Sequence, residues 1–225
     1  TTQAEGGGSV ACRRNHYPLT SARHPSEIHT DALDLPNKVL LPPRTGRREL
    51  DIPQRYERLH REAERLRINR IIGDESAGEV LIVTSGLAFQ YVQQALSDFG
   101  LAGRIPVLKL GLTYPLDRGL IESVLGRYEH LVIVEERRSF VEEQVAEIAV
   151  RYGQGSEGRI ARIWGKQLPG GCSGFPVALG LNVSIVADRI GRFLRAIESP
   201  LARNAARMIE TELRVIADTS RAEVN

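Results

Sequence analysis

The sequence predicts an α/β fold, in which helices enclose a mainly parallel sheet. Short, continuous β-branched runs such as "EVLIVTSG" and "HLVIVEE" alternate with amphipathic runs of helical period. The connections between them are short, and glycines close several of the helical runs. Alternation of this kind buries each strand between two helical layers.

The elements follow in order from Asp51. "DIPQRYERLHREAERLRI" has Pro53 in its first turn and Tyr56, Leu59, Ala63 and Leu66 on one face, so it predicts a helix. Arginines mixed with Glu57, Glu62 and Glu64 cover its other face, a pattern of a solvated helix more than of a nucleic-acid surface. "EVLIVTSG" predicts a buried strand. "LAFQYVQQALSDFG" predicts a helix with Ala88, Tyr91, Val92, Ala95, Leu96 and Phe99 inward, closed by Gly100. "RIPVLKLG" is the second strand, and the helix after it turns Leu120, Ile121, Val124 and Leu125 inward. "HLVIVEE" is the third strand. Its helix opens at Ser139 with Glu142 three residues on, the capping-box spacing, and carries a stripe of Val141, Val145, Ile148 and Tyr152. "GRIARIWG" is the fourth strand, followed by the connector "KQLPGGCSGFPVALG". "LNVSIVADRIGRFLRAI" is a helix with Asn182 or Ser184 as its cap, and "LARNAARMIETELRVIAD" reads as one last amphipathic helix.

Residues 1–50 have little periodic order and read as an irregular arm or linker. The predicted organisation is therefore this arm, a connecting helix and lead-in at 51–76, an α/β domain at 77–198, and a C-terminal helix at 199–225. The chain opens on Thr1 and reads as a piece of something longer.

Composition bounds the function. The 225 residues are 42% hydrophobic and 26% charged, enough apolar material for a sizeable core. A net charge of +2 argues against nucleic acid as a partner. No apolar run approaches a membrane span, so no membrane partner is expected, and two distant cysteines, Cys12 and Cys172, fit a reducing cytoplasm. Two cysteines cannot supply the four thiolates of an iron–sulfur site.

An open α/β sheet binds ligands beyond the carboxyl ends of its strands, here Thr84–Gly86, Gly111–Tyr114 and Glu135–Arg138. The "TSG" turn leads into a helix N-terminus, a candidate phosphate cradle, but it is neither G-x-G-x-x-G nor a P-loop. Glu135 and Glu136 form an acid pair, with Arg137 and Arg138 beside them as ready ion-pair partners. Lys109 lies inside a strand and needs a carboxylate or an exit to water; pairing with the Glu135/Glu136 strand end is the expectation. The five histidines have no metal or nucleophile spacing and read as surface or loop residues, although His130 opens a strand. The residues by themselves assign no catalytic, cofactor-binding or metal site.

Four phrases together resemble one family. "EVLIVTSGLAFQYVQQAL", "PVLKLGLTYPL", "HLVIVEERRSFVEEQV" and "RIWGK" are similar to the middle domain of 2-oxoacid:ferredoxin oxidoreductases, most of all to that of the indolepyruvate ferredoxin oxidoreductase large subunit. The resemblance runs from about Pro36 to Ile197. It implies a fold like the transketolase C-terminal domain, three layers α/β/α around a five-stranded, mostly parallel sheet. Four strands are evident, and Lys38–Leu41, Ile68–Ile72 or "PVALG" are the candidates for a fifth, possibly antiparallel. The complete enzyme of such a family uses thiamine diphosphate, Mg and iron–sulfur clusters to decarboxylate an aryl 2-oxoacid oxidatively and reduce ferredoxin. The resemblance gives this domain an assembly role among the remaining domains or subunits of an oligomer. "GDE" at Gly73–Glu75 departs from the Gly-Asp-Gly of the diphosphate site, so no cofactor is expected on this chain alone. Two other readings stay open: a free-standing flavin- or nucleotide-binding module using Thr84–Gly86, and a non-catalytic interaction domain.

Overall fold

The computed structural model describes Asp34, Lys38 and residues 41–76, 78–155 and 158–222. Most of the N-terminal arm, with Cys12, His16, His24 and His29, lies outside the described residues. The chain divides into two units, residues 1–57 and 58–225. The first contains the short helix α1, Arg44–Leu50. Helix α2, Ile52–Arg65, leads into the second.

The second unit is built on a five-stranded sheet of order β1-β3-β2-β4-β5. Its strands are β1 Arg70–Ile72, β2 Val80–Ser85, β3 Val107–Leu110, β4 His130–Val134 and β5 Arg162–Trp164. Four are parallel; β1 runs antiparallel to β3, with Ile71 opposite Leu108. Of the three segments offered for a fifth strand, Ile68–Ile72 supplies it. A three-residue edge strand is too short for periodicity to reveal.

Strand side chains alternate between two cores. Val80, Ile82, Val107, Val132 and Val134 face one cluster, covered by α3 Ala88–Asp98, α6 Val183–Ala196, α7 Pro200–Asn204 and α8 Ala206–Ala222. Leu81, Val83, Leu108, Leu110, Leu131 and Ile133 face the other, under α4 Arg118–Leu125 and α5 Phe140–Gly155. The result is the predicted three-layer α/β/α sandwich. Both faces are dry: Val134 on the first and Leu81, Leu108 and Leu131 on the second have no exposed surface, and truncating one of these leucines to Ala costs about 2–5 kcal/mol.

Helix termini follow local chemistry. Asp117 accepts Leu120 N–H at 3.1 Å at the start of α4, and Asn182 accepts Ile185 N–H at 2.8 Å at the start of α6, so Asn182 is the cap rather than Ser184. The last amphipathic run is two helices, not one. Ser199 caps α7, and the chain breaks at Ala205 before α8 begins. Ile209 of α8 is fully buried in the first cluster, so this helix packs on its own domain. At the α6–α8 crossing Gly191 allows a close approach, because a Cβ would press on the side chains of Ile209 at 3.2 Å and Leu213 and Phe99 at 3.3 Å. The predicted inward stripe of α2 is mostly exposed: Ala63 is buried, whereas Leu59 and Leu66 are not.

Candidate functional site

The carboxyl ends of the four parallel strands gather the segments singled out in the sequence. At the β2 exit, Thr84 is buried and its hydroxyl donates to the Val134 carbonyl at 2.8 Å, tying β2 to β4. The threonine of the "TSG" turn therefore serves the sheet rather than a ligand.

The β3 exit is the loop Gly111–Leu116. Asn69 Oδ1 accepts the amides of Gly111 and Leu112 at 3.0 and 3.1 Å. Gln144 on α5 donates to the Thr113 carbonyl at 3.0 Å and accepts Leu116 N–H at 3.2 Å. His60 on α2 donates from Nε2 to the Pro115 carbonyl at 3.0 Å. Gly111 is required because a Cβ there would strike Ile68, whose carbonyl oxygen stands 2.8 Å away. Three side chains from three separate segments thus hold one irregular loop by its backbone, which satisfies polar groups that no ladder reaches.

At the β4 exit Glu135 is buried, and its carboxylate receives three amides that open α5: Phe140 at 3.1 Å, Val141 at 2.7 Å and Glu142 at 3.0 Å. A carboxylate on these free N–H groups also suits the positive end of the helix dipole. Glu135 therefore does the capping that the spacing assigns to Ser139. Its neighbours Glu136, Arg137 and Arg138 are exposed, and neither arginine has an ion pair among the described residues. The predicted pairing of these arginines with the acid pair does not form, because Glu135 is turned inward onto the helix.

The β5 exit completes the network. Glu142 Oε2 accepts Lys166 N–H at 3.0 Å, and Lys166 Nζ donates to the Glu135 carbonyl at 2.9 Å and to the Pro176 carbonyl at 3.5 Å. Burial raises the Glu142 carboxyl above its usual range and depresses the Lys166 ammonium, whose fall is opposed by the charges of Glu135 and Glu142. The connector folds back on β5 through Phe175 N–H to Gly165 O at 2.9 Å, and Arg189 donates to Gly174 O at 2.9 Å.

Lys109 does not meet a glutamate. Strand β2 stands between β3 and β4, and the lysine shares a face with Val107, where its Nζ lies 4.6 Å from the centre of the Phe89 ring. Nor is His130 a surface residue. It is buried, its Nδ1 accepts the indole N–H of Trp164 at 3.0 Å, and Phe193 meets it edge-on at 5.7 Å. Burial, with Arg162 nearby, lowers its pKa.

The donor set among the described residues does not suit the metal and diphosphate of a thiamine enzyme. In "GDE", Asp74 Oδ1 accepts the Ser76 amide at 2.9 Å and hydroxyl at 2.6 Å, an Asx turn that also lowers the carboxyl pKa. Among the described residues no three His, Cys, Asp or Glu side chains stand together as a metal needs, and Cys172 is an exposed free thiol. No helix among them is long and apolar enough to cross a membrane. A groove of about 640 Å³ lies between α6 and α8, lined partly by Arg189, Arg192 and Arg195, and no strand-exit residue borders it.

Asn69, Gln144 and Lys166 carry the network, and sequence reasoning did not single them out for it. The available signal was position: an Asn before an edge strand, a Gln in the first turns of a helix, and a Lys one residue past a strand.

The chain is 39% identical over 110 residues to the indolepyruvate oxidoreductase subunit IorA of Methanothermobacter marburgensis, covering 49% of this chain and 17% of that protein. It is 35% identical over 133 residues to the IorA subunit of Pyrococcus abyssi, covering 59% and 18%. For the IorA subunit of Pyrococcus horikoshii the identity is 42% over 77 residues, covering 34% and 12%. The chain thus spans under a fifth of the length of each relative. Among solved structures, a 2-oxoglutarate:ferredoxin oxidoreductase from Magnetococcus marinus aligns over 63% of this chain and 24% of its own, at 16% identity and a TM-score of 0.35, too loose a likeness to inform the fold. Residues 69–223 match the family model described as the indolepyruvate oxidoreductase domain, and this chain belongs to that family.

Proposed function

We propose that this chain is the assembly domain of a thiamine diphosphate-dependent 2-oxoacid:ferredoxin oxidoreductase acting on an aryl 2-oxoacid of the indolepyruvate kind. One observation carries the reading beyond family membership. At the strand exits, where an open α/β sheet would hold a ligand, the polar side chains Thr84, Asn69, Gln144, Glu135 and Glu142 are bonded to the protein's own backbone. Such an edge is a rigid platform, not a reaction centre.

In this reading the complete enzyme works in the cytoplasm as an oligomer. Its thiamine diphosphate, magnesium and iron–sulfur clusters are held by the remaining domains or subunits, and ferredoxin takes its electrons. Residues 1–50 form an arm from an upstream thiamine-binding domain, 51–76 a connecting lead-in, 77–198 the α/β platform, and 199–225 a terminal helix element.

The test is to purify the native protein with whatever accompanies it. The 225-residue chain is then assayed beside the intact assembly for indolepyruvate oxidation with coenzyme A and an electron acceptor. The expected result is turnover by the assembly and none by the chain. Turnover by the chain alone, a flavin spectrum on it, or a native protein with no thiamine-binding companion would overturn the reading.

A further inference from the structure

We infer that the groove between α6 and α8 is a binding site for an organic anion with a flat apolar body, an aromatic carboxylate by class. Such a site goes beyond the assembly reading and does not depend on it.

The groove joins an apolar floor to a row of cations. Ile185 of α6 and Leu213 and Ile216 of α8 line it, half-buried and packed against the first core cluster. Leu213 and Ile216 are three residues apart on α8 and so share a face, and Gly191 lets that helix approach α6 closely. From α6 come Arg189, Arg192 and Arg195, three residues apart along the helix.

The one acid among the described lining residues is already spent. The Asp188 side chain is only 14% exposed, and both its oxygens are taken: Oδ1 accepts Arg192 Nε at 2.8 Å and Oδ2 accepts Arg189 Nη1. Arg189 is pinned a second time, because its Nε donates to the Gly174 carbonyl at 2.9 Å. The terminal nitrogens of Arg192 and the whole guanidinium of exposed Arg195 have no partner among the described residues. Three arginines against one aspartate leave the lining with a surplus of two positive charges, 3 − 1 = 2. Glu212 and Asp218 of α8 do not line it. Glu198 and Glu210 share with Arg195 the adjoining groove of about 420 Å³, but neither makes an ion pair with it, and Glu210 pairs with Arg214 at 3.5 Å.

This combination selects the ligand. A guanidinium takes a carboxylate through two parallel hydrogen bonds and stacks its plane on an aromatic ring. The apolar floor then covers the rest of the molecule, and 640 Å³ lies within the range of about 300–1,000 Å³ usual for small-ligand pockets. A bare inorganic anion would satisfy the arginines and leave Ile185, Leu213 and Ile216 uncovered.

Titration calorimetry of the 225-residue chain with indole-3-acetate at low ionic strength tests the site, with inorganic phosphate run beside it. One saturable event with a Kd below about 1 mM is expected, and phosphate should bind at least about ten-fold more weakly. Arg195→Gln should weaken indole-3-acetate at least about ten-fold, and so should Ala217→Glu, which sets a carboxylate on the groove wall. Both positions are exposed, so both variants should fold, as circular dichroism would show. Arg214→Gln, outside the groove, should bind as the unaltered chain does. Methyl resonances of Ile185 and Ile216 should shift with the same Kd. No saturation, equal affinity in the Arg195 and Ala217 variants, or phosphate bound as tightly as the aromatic acid would overturn the inference. Binding that vanishes in the intact assembly would give the groove to a neighbouring domain and overturn it too. A native protein with no thiamine-binding companion would overturn the assembly reading, while binding by the chain would still support the site.

Discussion

Trp164 donates its indole N–H to Nδ1 of His130 at 3.0 Å, across the paired strands β4 and β5. The bond requires a neutral imidazole with its proton on Nε2. Burial holds the folded-state pKa of His130 below the ordinary value of 6.5. A depressed histidine pKa means that the unfolded chain binds the proton more readily. The stability is therefore complete above pH 6.5 and is lost as pH falls through the folded pKa. The urea midpoint should hold steady from pH 8 to about 7 and decline towards pH 5, with a matching change in the fluorescence of Trp164, the single tryptophan. His130→Phe should be about 1–2 kcal/mol less stable at pH 7.5 but flatter with pH. Equal slopes for the two proteins would rule this relationship out.

Glu135→Ala should cost about 2–4 kcal/mol, because three helix-opening amides lose one charged acceptor. Glu135→Gln, which keeps one acceptor oxygen, should cost less. Urea unfolding followed by circular dichroism reads both. A loss under about 1 kcal/mol for the alanine variant would mean that solvent caps α5 as well as the carboxylate does.

Two glycines at the β5 exit should respond differently to alanine. A Cβ on Gly174 runs into the Gly165 carbonyl oxygen and stands 2.7 Å from the Lys166 carbonyl carbon, both backbone. A Cβ on Gly165 meets the Glu142 carboxylate, which can rotate away. Gly174→Ala is expected to cost about 3 kcal/mol or more and Gly165→Ala about 1–2 kcal/mol, measured by thermal unfolding. The reverse order would show that the connector moves more easily than the glutamate.

Tyr128 is buried, and its hydroxyl has no hydrogen-bond partner among the described residues. Burial also raises its pKa, as expected for a phenol away from water. Tyr128→Phe removes an unsatisfied polar atom and keeps the ring, so stability should be unchanged or rise by up to about 1 kcal/mol. A clear loss in a denaturant titration would reveal a partner for the hydroxyl.

Much of the fold was legible because burial leaves a period in the text. Val80–Val83 and Leu131–Val134 are apolar without interruption since helices cover both faces of their strands. The stripe Val141, Val145, Ile148, Tyr152 likewise announced which side of α5 meets the sheet. Arg70–Ile72 was less legible because a strand that borrows its order from a neighbour needs only three residues. The break at Ala205 left no period to read, since both halves of that run are amphipathic and the turn is enforced by packing against α6.

At the strand exits the sequence supplied the participants and the tertiary structure decided the partners. The sequence by itself determined the α/β class, the positions of the four parallel strands and the family, since these reside in local periodicity and in short phrases. That Glu135 turns to α5 instead of Lys109, that Gln144 and Asn69 clamp one loop, and that His130 sits beside Trp164 were settled only by strand order. With β2 between β3 and β4, Lys109 and Glu135 are kept apart, while Glu135, Glu142 and Lys166 are brought together. Hydrogen bonds act over about 3 Å, and no pattern along the chain states which distant residues will come that close.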